Sequence, residues 1–94
     1  MEKRLGTVSI IVERHVAPVD EINELLTQFG EDIVARFGLP YRERGVNIIT
    51  LVTDTSMERV SALTGKLGKL PGVQVRSLLS KSAQGAPHVA PTSQ

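Results

Sequence analysis

Cysteine and tryptophan are absent from this 94-residue chain, and three residues alone are aromatic: Phe29, Phe37 and Tyr41. Without thiols there is no disulfide and no thiolate metal site. With so few aromatics, Leu, Ile and Val must fill the core; the apolar fraction of 40% suffices for a globular domain. Charge of one sign is missing too. Eleven Lys and Arg against ten Asp and Glu leave a formal charge of +1. That balance gives no general attraction to nucleic acid or to an anionic membrane. Long hydrophobic runs are also lacking. The start, MEKRLGT, leads into a short alternating stretch. It is neither a signal peptide nor the roughly 20 apolar residues of a membrane span. The reducing cytoplasm is the expected location. The length bounds one small domain. Such a domain buries roughly 60–70% of its unfolded surface, and small scaffolds often gain burial by self-association.

What is present is a repeated pattern of strand and helix. Leu5 to Glu13 alternates, with Val8, Ile10 and Val12 on one face and Thr7, Ser9, Ile11 and Glu13 on the other. Pro18 suits a first helical turn, followed by Asp20 and Glu21 at the positive end of the dipole. Val19, Ile22, Leu25, Leu26 and Phe29 then fall at helical spacing, and Gly30 offers a stop. Ile33, Val34 and Phe37 still match the helical period. The alternation of Ile33, Ala35, Phe37 and Leu39 favours a strand from about residue 32 to 39. Arg-Glu-Arg-Gly at 42–45 makes a charged turn whose glycine permits a positive φ. Val46 to Thr53 is apolar on both faces, the mark of a central strand. Thr55 with Glu58 is a capping-box candidate ahead of Val60, Leu63, Leu67 and Leu70. Leu-Pro-Gly at 70–72 ends that helix, and Val73, Val75, Ser77 and Leu79 alternate in a last strand. From Ser80 the composition turns to Ser, Ala, Pro and Gly without periodicity. The reading is one domain over residues 1–81 and a disordered tail over 82–94.

The order βαββαβ predicts an α+β, ferredoxin-like domain. Two right-handed crossovers place both helices on one face of a four-stranded antiparallel sheet. The other face has no helix. Ser9 and Ile11 are placed there, with Ile49 and Leu51 beside Asn47. That surface is too apolar for a fully solvated sheet. A second copy of the chain is the expected cover, with Ile11, Ile49 and Leu51 at the interface.

Three segments carry a family resemblance: MEKRLGTVSIIVE at the start, GLPYRERGVNIITLV in the middle and SALTGKLGKLPGV later. In their order and spacing, from Met1 to about Lys81, the chain resembles the small iron-only ([FeFe]) hydrogenase system regulators. That family sits with ACT-like domains and resembles the C-terminal half of the nickel-responsive regulator. The resemblance implies a ferredoxin-like domain, assembly into dimers or tetramers and a regulatory role beside [FeFe]-hydrogenase systems. Two features of the nickel regulator do not carry over. Leu5 already lies in the first strand, with no ribbon-helix-helix segment before it. A square-planar site of several His plus Cys cannot be built from His15 and His88.

Candidate sites are few. Thr64-Gly65-Lys66 and Gly68-Lys69 lack phosphate-loop spacing and fall late in a helix, so both glycines read as packing or end-of-helix residues. The strand at 46–51 has no aromatic to stack on a base, which argues against RNA recognition. Arg36, Tyr41, Arg42, Arg44 and Asn47 gather around the central hairpin. They read either as a site for a small anionic or amino-acid-like effector or as a solvated loop paired with Glu31 and Glu43. His15 follows the first strand, a connection that often meets ligand in ACT-like domains. No histidine is placed to activate a Ser or Thr, and the carboxylates are scattered at helix starts, where capping explains them. The chain reads as no enzyme, with no cofactor and no metal. The leading expectation is a homo-oligomeric regulatory or sensing module that binds a small effector or a separate regulatory protein at a subunit interface. The alternatives are a structural interaction module without ligand, and a transcription factor of the nickel-responsive type acting as an oligomer. Direct nucleic-acid binding is disfavoured by the charge, and no membrane contact is expected.

Overall fold

The computed structural model describes residues 2–81. The expected tail at 82–94 and His88 lie outside the described residues. The elements run β1 (Arg4–Glu13), α1 (Val19–Gln28), β2 (Ile33–Tyr41), β3 (Val46–Thr55), α2 (Met57–Gly68) and β4 (Val73–Leu79). The four strands form one antiparallel sheet in the order β2-β3-β1-β4. This is the ferredoxin-like arrangement expected from the element order, with β3 and β1 central.

The core lies between the helices and one face of the sheet. Val8, Ile10, Val12 and Leu51 come from β1 and β3; Ile22, Leu26, Phe29, Val60, Leu63 and Leu67 come from the helical layer. The helical residues recur at three- and four-residue intervals, so each helix turns one apolar stripe inward. Ile33 to Tyr41 is a strand and does not extend α1. Phe29 closes that helix, and a short 3-10 turn follows at Gly30–Asp32. Asp32 then ties the turn to α2. Its carboxylate accepts from the Thr55 hydroxyl at 2.7 Å and from Arg59 Nε and Nη2 at 3.2 and 2.7 Å. The Arg59 guanidinium also lies 4.4 Å over the Phe29 ring. Thr55 is therefore occupied by Asp32, and Ser56 caps α2 by accepting from Arg59 N–H. Gly45 and Gly72 both adopt a positive φ, closing the β2–β3 turn and the Pro-Gly turn before β4.

The register corrects one expectation. β1 pairs Val8 with Leu51, Ile10 with Ile49 and Val12 with Asn47. Opposite residues of an antiparallel pair share a face. Ile49, Leu51 and Asn47 therefore lie on the helix-covered face, not on the open one. Leu51 is completely buried, and Ile49 packs against the core. Ile11 does lie on the open face, as expected. β3 is apolar on both faces, so its alternation cannot say which face is which; a shift of one residue exchanges them. The open face instead carries Val46, Ile48, Thr50 and Val52 of β3 beside Ala35, Phe37, Leu39 and Tyr41 of β2.

Candidate functional site

The pairing places Arg36, Gly38 and Pro40 of β2 on the helix-covered side, opposite Leu51, Ile49 and Asn47. Nothing lies within 4 Å of where a Cβ on Gly38 would stand. The gap between the first turns of α1 and the β2–β3 hairpin is a cavity of about 300 Å³. Its apolar wall is built by Val12, Val19, Ile22, Ile49 and Pro40. Three polar side chains join it: Asn23, Arg36 and Asn47. An apolar wall with a few convergent polar groups is the usual composition of a small-molecule site.

Asn23 and Arg36 are exposed to solvent at the rim, and Asn47 is half-buried at the base. Arg36 Nη2 donates to Asn23 Oδ1 over 3.4 Å, a long contact. The ion pairs found among the described residues join Arg4 to Glu2 and Arg59 to Asp32, so Arg36 has no carboxylate partner there. Asn47 Oδ1 is buried and accepts no hydrogen bond. Leaving such an acceptor unpaired costs about 1–3 kcal/mol.

Of the residues expected from the sequence, Arg36 and Asn47 meet in this cavity. Tyr41 does not join them. It pairs with Val46 on the open face, and its chain neighbour Pro40 takes the cavity side. Arg42 stands in the short turn after β2 and is absent from the cavity lining. His15 lines a separate pocket of similar volume, about 300 Å³, with Glu13, Val16, Arg44, Gly45 and Val46. Strand alternation splits what sequence proximity joins: positions 36 and 41 differ by an odd number and face opposite sides. Asn23 and Gly38 escape the sequence reading. Asn23 is four residues after Val19 on α1, which puts both on one helix face. A glycine inside a strand often marks a place where something else approaches. Among the described residues there is no group of three or more His, Asp or Glu side chains able to hold a metal ion. No described helix is long and apolar enough to cross a membrane.

A family model described as TM1266-like, "Iron-only hydrogenase system regulator, putative", matches residues 4–77. The chain belongs to this family. The match spans every strand and both helices except the last two residues of β4. Among solved structures, the uncharacterized protein TM1266 from Thermotoga maritima is 42% identical. It superposes with a TM-score of 0.81, covering 85% of this chain and 100% of that one. No curated protein matches the sequence. The resemblance to iron-only hydrogenase system regulators and the ferredoxin-like fold it implied are both established by these findings. Membership in a regulator family agrees with a role other than catalysis.

Proposed function

We propose that this member of the TM1266-like family is a homo-oligomeric sensing module whose helix-free sheet face is covered by a second copy of the chain. The open face carries this reading. Ile11, Phe37, Leu39 and Tyr41 stand exposed on it, with Leu5 and Leu78 toward its far end. Its charges, Glu13, Asp54 and Arg76, sit at strand ends or on the edge strand β4. Exposed aromatic and aliphatic side chains on a face with few charges match the composition of a protein interface.

The occupant follows from shape and size. Four strands about 4.8 Å apart and up to ~33 Å long present roughly 500–600 Å² in projection, and side-chain relief brings that toward the ~800 Å² per partner of a standard interface. Two sheets pack face to face when their twists match, at about −30°. A copy of the same sheet meets that condition by identity, and a twofold axis closes the assembly. β2 carries Phe37, Leu39 and Tyr41 to this face and Arg36, Gly38 and Pro40 to the cavity, so one strand serves both surfaces. Sedimentation velocity across a micromolar concentration series tests the reading. A dimer or larger species is expected. A monomer at about 100 μM overturns it, since that affinity lies below the range of a specific interface this size.

A further inference from the structure

From the cavity between α1 and β2 we infer the class of the effector: a small branched carboxylate that also carries a hydrogen-bond donor next to the carboxylate. The inference rests on the reading of the chain as a sensing module, and it is tested separately from assembly. Each part of the ligand answers one feature of the site. Arg36 offers a guanidinium with no carboxylate partner among the described residues and a single long contact to Asn23. A planar fork of N–H donors suits a carboxylate. Asn47 presents a carboxamide whose buried oxygen lacks a donor. An entering O–H or N–H group gives the amide its missing partner. Val12, Val19, Ile22 and Ile49 provide the apolar wall for a branched hydrocarbon. The volume of about 300 Å³ admits a molecule of four to six carbons and is small for a nucleotide.

The open space above Gly38 supplies a control that does not damage the fold. A Cβ there meets nothing within 4 Å, and the backbone φ lies outside the left-handed region. Gly38→Val fills the cavity with a residue suited to a strand.

The probes are 2-hydroxyisovalerate, L-valine and isovalerate, titrated into the full chain and followed by amide chemical shifts. With wild type, one or both of the substituted acids should shift the amides of Val12, Asn23, Gly38 and Asn47. Isovalerate, which lacks the donor, should bind about tenfold more weakly. Arg36→Ala should weaken all binding by about tenfold or more. Gly38→Val should abolish it while the urea midpoint holds. Failure of both substituted acids to bind below about 10 mM overturns the inference. So does equal affinity for isovalerate, unchanged affinity in Arg36→Ala, or binding that survives Gly38→Val. Sedimentation of the same samples separates the two readings. An oligomer that ignores the acids sinks the ligand class alone, whereas a monomer that binds them sinks the assembly alone.

Discussion

Phe37→Thr is the sharpest perturbation of the open face. Phe37 lies on the edge strand β2 and is 61% exposed. For an aromatic of ~200 Å², that leaves ~120 Å² of apolar surface available for cover. Threonine keeps the strand preference and a small apolar part, so the net loss is ~80 Å² per chain. A twofold axis counts the residue twice, and at ~25 cal/mol per Å² the interface loses ~4 kcal/mol. The dimer dissociation constant should rise about a thousandfold. The folded monomer should barely notice, because an exposed substitution away from special features stays within about 0.5 kcal/mol. Sedimentation velocity at several concentrations reads the first effect, and urea denaturation of the dissociated chain reads the second. An unchanged dissociation constant would refute the reasoning. A large fall in monomer stability would refute it as well, since Phe37 would then belong to the fold and not to the face.

Named contacts lead to three further outcomes. Gly72 has φ +72°, and a Cβ there would stand 2.9 Å from Val16 Cβ; Gly72→Ala should cost about 2–3 kcal/mol in chemical denaturation. Gly65 lies inside α2, and nothing stands within 4 Å of the place a Cβ would take, so within one chain it is not a packing glycine; Gly65→Ala should raise the melting temperature by about 4–8 °C, the equivalent of ~1 kcal/mol. Hydrogen bonds from Arg59, reinforced by Thr55 and opposed by partial burial, hold the Asp32 carboxyl below its usual value of 3.8. A depressed folded-state value stabilises the fold above the unfolded value and loses that effect as pH falls through the folded one. Asp32→Asn should thus lower the urea midpoint at pH 7, and its gap from wild type should narrow as pH drops below 3.8; a gap constant from pH 7 to 2 would contradict this.

The kinds of element and their order were legible in the chain itself. Val8, Ile10 and Val12 alternate, and Val60, Leu63 and Leu67 recur at helical intervals, because each element must bury one side. Gly45 marked one turn by permitting a positive φ, and Leu-Pro-Gly at 70–72 marked the end of α2. Those signals are local, and they led to βαββαβ and its sheet. Which face each residue of β3 meets was settled by strand pairing. Ile49 and Leu51 could pass for interface residues because Ile48 and Val52 are equally apolar, and only the pairing with Ile10 and Val8 turns them inward. The site, too, came from packing. Arg36 and Asn47 were legible as candidates, but alternation sent Tyr41 to the opposite face, and helix packing brought in Asn23 from 13 residues away. A cavity is what several elements leave unfilled, so no single segment of sequence contains it.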